Sequence, residues 1–148
     1  MIPYGKHYID QDDIKSVIKV LKSDNLTQGP LIKTFENAVA KYVGAKYAVA
    51  VASCTAGLHL AAIVSNIKEG KILLTSPITF VSTANSALFC GGKTIFADID
   101  SNINISPEEV NKICSKTNIS AISPVHFGGL PCNMKKLKKI ADKYKAFI

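Results

Sequence analysis

From residue 46 onward, short apolar runs of strand length alternate with longer segments whose apolar residues recur at helical spacing. Residues 47–52 form a continuous small apolar run, residues 71–75, 94–97 and 119–123 repeat it, and Ala146-Phe147-Ile148 begins it again. Runs of this kind, without polar alternation, predict strands buried on both faces. Between them lie a segment carrying Leu58, Leu60, Ala61, Ile63 and Val64, and a second running through Ala84 and Leu88 to Gly91-Gly92. A third opens at Ser106-Pro107-Glu108-Glu109, where a cap, a proline at the first position and two acids near the positive end of the helix dipole mark a helix start. Alternation of this type predicts an α/β fold, a mainly parallel sheet covered by helices. A domain seldom stops within a core strand, so the final apolar triplet predicts that the chain continues past Ile148.

The segment before the alternation is different. Asp10-Gln11-Asp12-Asp13 supplies a cap and an acidic first turn for a helix bearing Ile14, Val17, Ile18 and Leu21 on one face and ending near Ser23. Residues 24–30 are rich in turn formers, and Pro30 can open the next helix, which groups Phe35, Ala38, Val39 and Tyr42 and closes at Gly44. The organisation expected is therefore an N-terminal arm, helix and loop over residues 1–30, followed by one domain over residues 31–148.

Composition narrows the function classes. The chain has 148 residues, 47% of them apolar and 20% charged, which suits one globular core. No secretory signal or membrane-length apolar run is present, so a cytoplasmic protein is expected. Cys54, Cys90, Cys114 and Cys132 form no C-x-x-C pair, which predicts reduced thiols rather than a zinc site or a disulfide framework. All 18 basic residues are lysine, and the lack of arginine argues against a nucleic-acid surface despite the net charge of +7. Lys135, Lys136, Lys138 and Lys139 interleave with Met134, Leu137, Ile140, Ala141 and Tyr144 as the solvated face of an amphipathic helix.

In open α/β sheets ligands bind beyond the carboxyl ends of strands, where helices begin. Ser53-Cys54-Thr55-Ala56-Gly57 occupies such a place. Its backbone amides, the Thr55 hydroxyl and the helix dipole favour a phosphate, while Ser53 or Thr55 can equally serve as an ordinary helix cap. The absence of G-x-G-x-x-G and of G-x-x-x-x-G-K-[ST] speaks against a dinucleotide dehydrogenase and a P-loop nucleotidase. No H-E-x-x-H or G-x-S-x-G supports a metalloprotease or hydrolase. Phe80, after Ser76-Pro77-Ile78-Thr79, is placed either to stack on a planar cofactor or to fill the core. His59 falls inside a helix as a packing residue, and His126 follows a strand on the ligand-binding edge, where it is either a site residue or a satisfied core group.

These segments in this order resemble the DegT/DnrJ/StrS nucleotide-sugar aminotransferases, fold-type-I enzymes that use pyridoxal 5'-phosphate (PLP). The resemblance spans essentially the whole chain. It rests on Leu26-Thr27-Gln28-Gly29-Pro30, Ser53-Cys54-Thr55-Ala56-Gly57-Leu58-His59, Thr75-Ser76-Pro77-Ile78-Thr79-Phe80-Val81-Ser82-Thr83-Ala84-Asn85 and Pro124-Val125-His126-Phe127-Gly128-Gly129. Residues 26–29 and 77–85 look most like the branch that serves pseudaminic acid synthesis.

The resemblance implies the N-terminal part of a PLP-binding large domain. By it, Cys54, Thr55 and Ala56 hold the cofactor phosphate and Phe80 stacks on the ring, while Tyr4, Asp24, Asn25, Leu26, Thr27, Ser53 and His126 line the sugar-nucleotide pocket. Cys54 departs from the glycine or alanine of many relatives, a change that ordinary backbone angles tolerate. The implied reaction moves an amino group from L-glutamate to the 4-keto group of a UDP-linked 4-keto-6-deoxy-N-acetylhexosamine, in a homodimer. Two family residues are not matched: the aspartate that pairs with the pyridine nitrogen and the lysine that bonds to the cofactor. Their expected place is beyond Ile148, which predicts that these residues alone are inactive. A PLP sugar dehydratase on the same scaffold, with histidine in place of that lysine, and a non-catalytic interaction domain built from half the fold are the alternatives.

Overall fold

A computed structural model describes residues 5–148 and divides them into two compact units, one ending at Ala50 and one running from Val51 to Ile148. In the first unit, α1 (Gln11–Leu21) starts with a capping box. Asp10 Oδ1 accepts from the amides of Asp12 and Asp13, and Asp13 Oδ2 accepts from the Asp10 amide. The second helix, α2 (Pro30–Val43), has proline at its first turn and ends on Gly44, whose φ of 69° is the left-handed conformation that terminates helices on glycine. Both helices are amphipathic, yet α1 contains no buried residue and Ile14, Val17, Ile18 and Leu21 remain exposed.

The second unit holds the parallel sheet. Strands β1 (Ile72–Thr75), β2 (Lys93–Phe96) and β3 (Ala121–Ser123) are ordered β2-β1-β3, with Leu74 opposite Ile95 on one side and Ile122 on the other. Helices α3 (Cys54–Val64) and α4 (Val81–Phe89) pack together, as do α5 (Pro107–Cys114) and α6 (Met134–Tyr144). The two-residue period of the strands divides the core between these pairs. Leu73 and Ala121 join Ala62, Ile67 and Ala87, whereas Leu74 and Ile122 join Ile105, Val110, Leu137 and Ala141. The sheet is thus covered on both faces, as the strand–helix alternation predicts.

Phe147 adds a parallel bridge to Ala121, with its amide donating to the Ser120 carbonyl and its carbonyl accepting from Ile122. The apolar triplet at the end of the chain therefore does enter the sheet, beside β3. Residues 47–52 differ from expectation: they are not part of any strand. A strand needs a ladder partner, and here the Ala50 amide donates instead to Glu36 Oε1 at 3.0 Å. The loop expected after β3 contains a 3-10 turn at Phe127–Gly129.

The glycine pair after α4 serves two purposes. Gly91 has a φ of 73° and ends the helix, while a Cβ on Gly92 would stand 2.6 Å from Ile67 Cγ2 and 3.2 Å from the Lys71 carbonyl oxygen. The lysines of α6 face water over a spine of buried Leu137 and Ala141, and Lys136 pairs with Glu108 at 3.0 Å. That pairing holds the Glu108 carboxyl below its ordinary value. Among the described residues no helix is long and apolar enough to cross a membrane.

Candidate active site

The topology of the second unit points to one edge of the sheet. From central β1 the chain leaves through α4 to β2, then returns through α5 to β3 on the opposite side of β1. After β1 it enters the α3/α4 pair and after β3 the α5/α6 pair. The carboxyl ends of β1 and β3 therefore flank a switch point, the usual position of a ligand crevice in such sheets. Thr75, buried at the end of β1, donates its hydroxyl to the Ser123 carbonyl at the end of β3, 2.7 Å away.

On the α3/α4 side of this edge stand two helix N-termini. Ser53 caps α3, its Oγ accepting from the Ala56 amide at 3.2 Å, so the capping role belongs to Ser53. Thr55 does something else. Its Oγ1 lies 2.8 Å from Ser82 Oγ in the first turn of α4, a contact spanning 27 positions of sequence. The first turns of the two helices are consequently within hydrogen-bonding distance of each other. Helix geometry leaves the early amides of each without intrahelical acceptors. Among the described residues the amides of Cys54 and Thr55 on α3, and of Val81 and Ser82 on α4, find no protein acceptor. Neither helix carries an aspartate, glutamate, lysine or arginine. Two positive dipole ends placed together, with hydroxyls and unpaired amides and no carboxylate, make a donor set suited to an anion.

Phe80 immediately precedes α4, and its side chain is 74% exposed. The core-packing alternative therefore does not hold for this ring. His59 packs as expected, edge-on to Phe89 with ring centroids 5.5 Å apart, joining α3 to α4. Cys54 is exposed at the first position of α3.

His126 follows β3 and is exposed, with Nδ1 accepting from the Cys132 amide at 3.2 Å. That bond assigns the proton to Nε2, which is left free to donate. Cys132 also donates its thiol to the Val125 carbonyl, and burial pushes that thiol's pKa up. A residue that sequence inspection passed over holds the same loop. Asn104, buried, accepts from the Phe127 amide at 3.1 Å and donates to the Leu130 carbonyl at 3.0 Å. The signal available was an amide side chain set between Ile103 and Ile105. No hydrogen bond joins His126 to Thr55, Ser82 or Phe80 among the described residues.

The remaining candidates lie in the first unit. Asp24, Asn25, Leu26 and Thr27 form an exposed loop between α1 and α2, and Tyr4 lies outside the described residues. The loop is tight at its end, where a Cβ on Gly29 would stand 3.1 Å from the Asn25 carbonyl oxygen. Within the second unit, a groove of about 160 Å³ lined by Leu58, Ala62, Ala121, Ile122 and Ile148 has no titratable side chain in its lining.

Comparison with known proteins identifies relatives of the chain. A model of the DegT/DnrJ/EryC1/StrS aminotransferase family matches residues 7–148. A UDP-4-amino-4,6-dideoxy-N-acetyl-beta-L-altrosamine transaminase of Campylobacter jejuni is 44% identical over 146 residues, covering 97% of this chain and 39% of that protein. An aminotransferase structure from Psychrobacter cryohalolentis superposes with a TM-score of 0.88 at 29% identity, over 97% of this chain and 37% of that one. The Helicobacter pylori aminotransferase PseC, involved in the biosynthesis of pseudaminic acid, gives 0.86 at 30% identity, over 97% and 39%. The chain thus spans about 39% of the length of the curated relatives it matches.

Proposed function

The chain belongs to the DegT/DnrJ/EryC1/StrS aminotransferase family, and on that premise we propose that it is the N-terminal part of a PLP enzyme that aminates a nucleotide-linked keto sugar. Residues 31–148 are then an incomplete cofactor-binding large domain, with residues 1–30 as its arm, helix and loop. The single observation that carries the cofactor assignment is the 2.8 Å contact between Thr55 and Ser82, which joins two helix N-termini into one donor set. That set fits the phosphate of PLP, because it offers hydroxyls and free amides and no competing carboxylate.

In this assignment the first turn of α3, with Cys54, Thr55 and Ala56, holds the phosphate, and exposed Phe80 covers one face of the pyridine ring. An aromatic side chain there would exclude water from that face of the bound ring. His126, held by Cys132 with its proton on Nε2, presents a hydrogen-bond donor toward the sugar side. Asp24, Asn25, Leu26, Thr27, Ser53 and Tyr4 are assigned to the sugar nucleotide. Bound PLP supplies an electron sink and a temporary carrier for the amino group. The lysine that bonds to it and the aspartate that pairs with its ring nitrogen are assigned to residues beyond Ile148, so residues 1–148 alone are inactive.

The acceptor assigned is a UDP-linked 4-keto-6-deoxy-N-acetylhexosamine, which the UDP-linked 4-amino-4,6-dideoxy sugar of the Campylobacter relative supports, and the donor assigned is L-glutamate. The complete enzyme is a cytoplasmic homodimer. Adding PLP to the full-length protein is expected to produce a visible absorption band that glutamate removes. A band indifferent to glutamate, with histidine at the lysine position, would instead identify a dehydratase. No band at all would rule out the cofactor.

A further inference from the structure

Ser82 stands out because the cofactor assignment gives it no part, yet it is the side chain that ties the two helix N-termini together. It is 6% exposed, whereas its partner Thr55 is only half-buried. Two hydroxyls 2.8 Å apart share one proton between them and leave the other proton pointing outward. If Thr55 donated, the outward proton would belong to buried Ser82. If Ser82 donates, the outward proton belongs to Thr55, the more accessible of the two and the one at the first turn of α3. An anion at that turn selects the second arrangement, since it accepts protons and offers none.

We infer that Ser82 is a positioning residue: it donates to Thr55 Oγ1 and thereby aims the Thr55 proton at the bound phosphate. The inference rests on the cofactor assignment above and adds to it a residue and a proton direction. Ser82 has no contact with the pyridine ring in this scheme. Its effect should therefore depend on the ligand carrying a phosphate, and should pass entirely through Thr55.

The test is a comparison of two ligands, PLP and pyridoxal, which lacks the phosphate, titrated into the full-length protein and followed by absorbance. One net hydrogen bond corresponds to about a fivefold change in affinity. Ser82→Ala is expected to weaken PLP about fivefold while leaving pyridoxal unchanged, and Ser82→Thr, which keeps the hydroxyl, should restore PLP binding. In a Thr55→Val background, Ser82→Ala should have no further effect on either ligand. Equal losses for PLP and pyridoxal would mean that Ser82 merely supports α4 and the adjacent Phe80, and would overturn the inference. So would full additivity in the Thr55→Val background, a comparison that stands even if Ser82→Thr does not fold. Failure of the unsubstituted protein to bind PLP overturns the cofactor assignment and this inference together. PLP binding by that protein with no effect of Ser82→Ala overturns only the inference.

Discussion

Thr55→Asp in the full-length protein is expected to weaken PLP binding about a hundredfold or more without lowering the protein's stability. Unit like charges 4 Å apart repel by about 4 kcal/mol at an effective dielectric of 20, and a phosphate carries more than one charge. Doubled for the charge of the phosphate and halved for solvent, that repulsion still exceeds the roughly 2.8 kcal/mol that a hundredfold change in affinity requires. Stability should change little. An acid in the first turn of a helix contributes about 0.3–1 kcal/mol, which offsets the roughly 1 kcal/mol lost with the Thr55–Ser82 hydrogen bond. Binding and folding are thereby separated by one substitution. PLP affinity within about threefold of the unsubstituted protein would place the phosphate away from α3.

The second large effect belongs to the sheet. Leu74 lies fully buried in central β1, among Ile105, Val110 and Leu137, which are also inaccessible. Leu74→Ala is expected to cost about 3 kcal/mol, from lost burial plus the cavity left by partial relaxation. With a urea slope of about 2 kcal/mol/M, the midpoint should fall by roughly 1.5 M. Val64→Ala, at a position 77% exposed on α3, should leave the midpoint nearly unchanged. A small shift for Leu74→Ala would mean that β1 is not the centre of the core.

How far the sequence foretold this arrangement differs from element to element. The ends of α2 were legible because proline and glycine act locally: Pro30 fits a first turn, and Gly44 adopts the positive φ that stops a helix. The parallel sheet followed from apolar runs flanked by helix starts. Residues 47–52 have the same apolar character, but a strand is a relation between two segments, and no run declares its own partner. Gly92 illustrates a related limit. As the second member of a glycine pair it read as part of a helix stop, yet its close neighbours are Ile67 and the carbonyls of Lys71 and Ala87, which only packing brings near.

The candidate site divides along the same line. Ser53, Thr55, Phe80 and His126 are legible as candidates because helix starts and strand ends are local features. What each side chain does there was not local. Ser53 and Thr55 were interchangeable as caps until the fold brought Ser82, 27 residues on, against Thr55 alone. Phe80 reads from sequence as a core or a stacking residue, and its exposure removes only the first of these. Asn104 went unnoticed because its partners, Phe127 and Leu130, lie more than twenty positions away.

The central claim is amino transfer to a nucleotide-linked keto sugar, and one measurement addresses it directly. The full-length protein, PLP, glutamate bearing isotopically labelled nitrogen and a UDP-linked 4-keto-6-deoxy-N-acetylhexosamine are incubated together, and the sugar product is weighed by mass spectrometry. The account predicts that the labelled nitrogen appears on the sugar in place of the keto oxygen, and that omission of glutamate prevents it. An unlabelled sugar product that has lost water, or a sugar recovered unchanged while the protein holds PLP, would contradict it.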